Sequence, residues 1–182
     1  MASKKELKKF LNDLSKDELI KEFEKLYSKF PQVKTYYDID LSGDTSLLLS
    51  EAKRKIENEY FPSRGFGKAR SAEVKKIIDD FSKVSIYPKD VIDLYLFRFH
   101  MAVKFTKAYG DIDEPFYDSA YNAFAKALKL IEKHGYKNEF KARCEAIVEE
   151  LGDIGWGFSD GVQELFYTYF QQGEHEDSDS KI

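Results

Sequence analysis

Pro88-Lys-Asp-Val-Ile-Asp-Leu-Tyr-Leu-Phe-Arg-Phe-His-Met-Ala-Val-Lys-Phe-Thr-Lys-Ala-Tyr-Gly110 is the stretch that decides the fold. Proline is preset for the first turn of a helix and glycine for its end, so the segment reads as one helix over about 88–109. Turning about 100° per residue, it gathers Asp93, His100, Lys104 and Lys107 into one polar arc. Val91, Ile92, Tyr95, Leu96, Phe99, Ala102, Val103 and Phe105 fill the remainder. An apolar arc that wide must be covered on two sides, which makes this the central element. Arg98 falls among Val91, Tyr95, Ala102 and Phe105, in the middle of the apolar face. A buried guanidinium needs compensation. The expected partner is a carboxylate of Asp111, Asp113 or Asp153, locking adjacent hairpins. The competing role for Arg98 is an anion-binding residue in a groove.

Helix signals continue on both sides. Ser3-Lys-Lys-Glu6 and Ser15-Lys-Asp-Glu18 fit the capping box. The second leads into Leu19, Ile20, Phe23, Leu26, Tyr27 and Phe30, a single apolar stripe that ends before Pro31. Residues 33–41 are ambiguous, with a short helix around Lys34 to Tyr37. A helix through Leu48, Ala52, Ile56 and Tyr60 stops at Pro62. Another, capped by Ser71, faces inward with Val74, Ile77, Ile78 and Phe81. Asp113 and Pro115 open a helix that ends at Gly135. Two more cover about 137–151 and 159–171.

Gly110-Asp-Ile-Asp-Glu-Pro-Phe-Tyr-Asp118 and Gly152-Asp-Ile-Gly-Trp-Gly-Phe-Ser-Asp160 share Gly, Asp, Ile, Phe and Asp at the same positions. The offset, from Gly110 to Gly152, is 42 residues, within the range of paired-helix repeats. The expected fold is therefore all-α, a stack of helical hairpins forming a HEAT- or armadillo-like superhelix, with an irregular helical bundle as the alternative. Residues 1–172 read as one domain and 173–182 as a disordered acidic tail.

Of the 182 residues, 42% are hydrophobic and 34% charged, the balance of a globular chain. One cysteine, Cys144, cannot close an internal disulfide; it lies on a stripe with Phe140, Ile147, Val148 and Leu151 and reads as core. With no secretory pattern or membrane span in view, a cytoplasmic location is expected. The net charge of −4 is unevenly spread. Between Cys144 and Ser180 there are ten acidic residues and no Lys or Arg. Setting aside these ten from 33, and Lys181 from 29, leaves 23 acidic and 28 basic residues in 1–143.

The candidate sites are few. Arg64, Lys68 and Arg70 lie with Gly65 and Gly67 in a loop ahead of a helix N-terminus, where amides and cations suit a phosphate. The loop lacks Walker spacing and equally suits a solvated connector. Asp111, Asp113 and Asp153, at helix starts, fit capping better than metal binding, since no His-x-x-x-His or Glu-x-x-His pattern accompanies them. Trp156, between Gly155 and Gly157, is either a plug or a contact.

Leu14-Ser-Lys-Asp-Glu-Leu-Ile20, Val33-Lys-Thr-Tyr-Tyr37, Val103-Lys-Phe-Thr106, Tyr109-Gly-Asp-Ile-Asp-Glu-Pro-Phe-Tyr117 and Asp153-Ile-Gly-Trp-Gly-Phe158 are spread over most of the chain. Together they resemble an uncharacterised bacterial family known only as a domain of unknown function. The resemblance implies relatives but no activity. The expected function is a non-enzymatic module that binds a protein or peptide in an aromatic-lined groove, without catalytic residues, cofactor, metal or membrane association. The alternatives are a nucleic-acid-associated protein using Lys4, Lys5, Lys8, Lys9, Arg64, Lys68 and Arg70, disfavoured by the net acidity, and then an enzyme of unidentified reaction.

Overall fold

A computed structural model describes residues 3–155 and 157–171. Among them are nine helices and no strand: α1 Lys4–Asn12, α2 Lys16–Lys29, α3 Pro31–Ser42, α4 Ser46–Tyr60, α5 Ser71–Val84, α6 Pro88–Tyr109, α7 Glu114–Lys133, α8 Lys137–Glu149 and α9 Phe158–Gln171. The protein is all-α, as its sequence indicates. The expected tail over 173–182 and the side chain of Trp156 lie outside the described residues. Packing divides the chain into two compact units, Met1–Asp44 and Thr45–Ile182, where the sequence reading drew no boundary.

In the first unit both capping boxes form. Ser3 accepts from the Glu6 amide and Ser15 from the Glu18 amide, while each glutamate returns to its cap. α3 is longer than the short helix expected, because Pro31 occupies its first turn and Gly43, at φ 68°, ends it in the left-handed region. α2 packs against α3. Ile39 is the one buried residue of the three helices among those described.

In the second unit α6 is the axis. It packs along α7 and also against α4 and α5, while α9 lies on α7 and α8. Ile92, Leu94, Leu96, Phe99 and Val103 of α6 are completely buried. Phe99 stacks on Phe124 of α7 at 4.6 Å and lies 6.1 Å from Phe158 of α9. The polar arc of α6 is a seam. Asp93 pairs with Lys53 of α4 at 2.5 Å and with Arg143 of α8. His100 Nε2 lies 2.8 Å from Glu150 Oε2, and Lys107 donates to the Glu150 carbonyl at 2.6 Å.

The α4–α5 connection corrects one local expectation. Ser71 is the first residue of α5 rather than its cap; Arg70 holds the cap position without a capping side-chain bond. The Ala69 amide is tied to the Glu59 carbonyl at 2.7 Å, and this sets where the helix begins.

Candidate functional site

A cleft of the second unit opens between α5, α6 and α7 and has a volume of about 880 Å³. Lys75, Asp79 and Ser82 come from α5, Val91, Tyr95 and Arg98 from α6, and Asp118, Ser119, Asn122 and Lys126 from α7. Helical spacing puts each set on one face of its helix, so the three faces converge on the cleft. Arg98 forms part of its floor and is only 6% exposed.

Arg98 is buried, as its place on the wheel requires, but its expected partner is wrong. Among the described residues no carboxylate pairs with it. Its Nη2 donates to Ser119 Oγ at 2.5 Å, and its buried Nε has no hydrogen-bond partner. The reason is geometric: Asp113 is occupied in capping the first turn of α7 and Asp111 and Asp153 lie in the turns beyond α6 and α8, while Arg98 lies mid-helix opposite the second turn of α7. Burial pushes the phenol of Tyr60 above its ordinary value, and the nearby positive charge of Arg98 opposes that shift. The carboxylates of the cleft are engaged elsewhere or lie at its edge. Asp79 pairs with Lys75 at 2.8 Å, and Asp118 is exposed.

The loop from Arg64 to Ser71 is a clasp. Arg70 grips Glu59 with its Nε at 2.9 Å and Nη2 at 2.7 Å, and this contact, with Lys68 nearby, holds the Glu59 carboxyl below its ordinary range. Gly67 lies so close to α4 that a Cβ there would sit 1.8 Å from the Tyr60 carbonyl oxygen. Arg64 is exposed.

Two of the three aspartates cap or brace. Asp113 accepts from the Phe116 amide at 3.0 Å. Asp111 accepts from the Tyr117 hydroxyl at 3.2 Å. Asp111 and Asp153 line one cavity of about 410 Å³ where the two Asp-Ile turns meet. The turns also share a bond: the Ile112 amide donates to Tyr117 Oη at 3.4 Å, and the Ile154 amide to Ser159 Oγ at 3.0 Å. Among the described residues no three His, Cys, Asp or Glu side chains converge as metal ligands, and no helix is long and apolar enough to cross a membrane. Cys144 is fully buried, and that burial pushes its thiol up to about 12.

A second surface was not singled out in the sequence. In the first unit, Ile20, Phe23, Tyr27, Tyr37 and Leu41 line a groove of about 580 Å³ between α2 and α3. Phe23 is 50% exposed and Leu41 82%. Phe23 meets Tyr37 edge-on at 5.4 Å, and Tyr27 is bonded to Asp38, so the groove walls are held in place. The signal that could have found it was the α2 stripe itself, which has too little of α3 to bury it.

The described residues thus form an all-helical fold with an apolar groove between α2 and α3 and a groove carrying Lys75, Arg98 and Lys126 between α5, α6 and α7. The chain belongs to the family described as a family of unknown function (DUF6155), whose model matches residues 2–168. No curated protein and no solved structure matches the chain.

Proposed function

We propose that this protein is a non-enzymatic interaction module whose α2–α3 groove receives an amphipathic helix of a partner protein. The observation that carries it is the set of large apolar side chains left exposed around a formed groove, Ile20, Phe23 and Leu41, with the half-buried Tyr27 and Tyr37 as its walls. Ile20, Phe23 and Tyr27 stand at i, i+3 and i+7 on α2, the ridge that an apolar helix face packs against. Residues 1–44 carry nine Lys and nine Asp or Glu, so this unit has no net charge. The attraction is then apolar, and the groove selects side-chain shape rather than a basic or acidic partner. The nucleic-acid alternative retains Lys4, Lys5, Lys8 and Lys9, but Arg70 is engaged by Glu59. A cytoplasmic setting and a helical repeat belong to the same proposal. The shared amide-to-hydroxyl bonds of the two Asp-Ile turns favour a duplicated unit.

The test places a photo-crosslinking amino acid at Phe23 and sequences what it captures in the native cell. The supporting result is an amphipathic segment whose synthetic peptide binds the purified chain with micromolar affinity and fails to bind a Phe23→Asp, Leu41→Asp variant. Capture of a second copy alone, with a dimer in sedimentation, would replace the partner helix with self-association.

A further inference from the structure

We propose that the α5–α6–α7 groove is a binding site for an organic oxyanion, a phosphomonoester or a carboxylate, with Arg98 as the anchor at its floor. This does not depend on the α2–α3 groove. A guanidinium stays charged at any pH the fold survives, and at 6% exposure it has given up most of its hydration. Among the described residues, Arg98 has neutral hydroxyls only, Ser119 on Nη2 and the Tyr60 phenol beside it, and nothing on Nε. Those two atoms form the side edge of the guanidinium, the fork that takes both oxygens of a carboxylate or phosphate.

The same chain shows that fork filled. Arg70 places Nε and Nη2 on the two oxygens of Glu59, at 2.9 and 2.7 Å. Arg70 does so on an exposed loop, where the pair adds little, whereas the buried Arg98, which has most to gain, has no carboxylate among the described residues. A residue placed only for stability would be matched the other way round.

The surroundings fit an anion. Lys75, Arg98 and Lys126 face the cleft against Asp79 and Asp118, a balance of +1. Lys75 is already paired with Asp79, so Lys126 is the cation left to join Arg98. Ser119 accepts from Arg98 and so offers its own proton outward; Asn122 and Lys126 follow it at i+3 and i+7 on the same face of α7. Val91, Tyr95 and Leu130 supply apolar wall, which is why the anion should carry an organic body. A cleft of about 880 Å³ lies within the range of small-molecule sites.

The experiment is calorimetric titration of the full chain with phenyl phosphate and, separately, with benzoate. The two arms distinguish phosphate from carboxylate as the head group. Saturable binding of at least one, with one site per chain, is expected. Arg98→Met should weaken it by about tenfold or more, the loss that removing a charged hydrogen-bond donor brings. Should Arg98→Met fail to give the wild-type helical spectrum, Lys126→Gln and Ser119→Ala carry the test, each expected to weaken binding several-fold. No saturable binding of either probe at millimolar concentration overturns the proposal, as does binding unchanged in the folded Arg98→Met protein or in both other variants.

Discussion

Arg98→Met should make the folded protein more stable, although it removes a hydrogen-bonded charge. Arg98 as a whole is only 6% exposed and has no carboxylate among the described residues. An ion in that position costs several kcal/mol in lost hydration. Its bond to Ser119 at 2.5 Å returns roughly 1.5–3 kcal/mol, the worth of a hydrogen bond to a charged group. Methionine keeps the unbranched stem in the same slot between Tyr95 and Ala102 and carries no charge. Ser119, freed of its partner, lines an open cleft and can turn to water. The difference favours methionine by about 1–3 kcal/mol, a rise in Tm of roughly 3–10 °C at this chain length. Urea unfolding followed by circular dichroism reads it, with the slope compared to confirm that the denatured states match. A loss of about 2 kcal/mol or more at unchanged slope would show that Arg98 is fully compensated, and the reasoning would fail.

Gly67→Ala places a Cβ 1.8 Å from the Tyr60 carbonyl oxygen, which no rotamer can relieve, so the α4–α5 loop must lift. The expected cost is about 2–3 kcal/mol, capped by what lifting releases: the Ala69–Glu59 backbone bond, the Arg70–Glu59 fork and the burial of Ala69. Gly65→Ala, at φ 76° with open space around it, should cost only about 1 kcal/mol of backbone strain, and equal losses in thermal melts would refute the distinction. Arg70 lowers the Glu59 carboxyl, so this contribution is present above the ordinary carboxylate range and fades as pH falls through the depressed value. The stability gap between wild type and Glu59→Gln should therefore be below about 1 kcal/mol at neutral pH and close on acidification; a gap that widens contradicts it. Cys144, fully buried and with its thiol raised to about 12, should resist maleimide in the native protein and react only at the rate of unfolding.

How much of this was legible follows from which contacts are local. α6 was read to the residue because Pro88 and Gly110 mark its ends and the apolar arc lies between them. The capping boxes, the Asp113 cap and the burial of Cys144 are equally local patterns. α3 was underread because Val33, Tyr36, Tyr37, Ile39 and Leu41 do not settle onto one helical stripe. Arg98 marks the boundary of the method. A helical wheel tells which side chains leave water, and Arg98 did. It does not tell which residue of the neighbouring helix arrives opposite, and Ser119, 21 residues away on α7, could not be chosen over three nearby aspartates. The groove had a sequence trace in the polar run Asp118, Ser119, Asn122 and Lys126 down one face of α7, but it acquires meaning only once α5 and α6 are placed beside it.

The N-terminal unit raises the opposite problem, an apolar surface in excess of what its own helices can cover. Met1–Asp44 is short, and Ile39 is the one described residue of α1–α3 that is buried. Segments near 40 residues seldom bury enough surface to stay folded unless something else covers them. Leu7 at 53%, Phe10 at 52%, Ile20 at 47% and Phe23 at 50% exposure therefore leave about half of their transfer free energy unrealised. The capping boxes fix the starts of α1 and α2, at about 1 kcal/mol each, and α2 packs on α3. A partner helix seated on Ile20, Phe23 and Leu41 would add the missing burial, so binding and ordering of this unit should be one event. Amide hydrogen exchange in residues 16–42 should be fast in the purified chain, while α6 and α7 stay protected. Adding the bound peptide should slow exchange across α2 and α3 together, including amides that the peptide does not touch. Full protection of α2 and α3 without any partner would show that the unit is complete in itself, and its exposed apolar face would no longer call for an occupant.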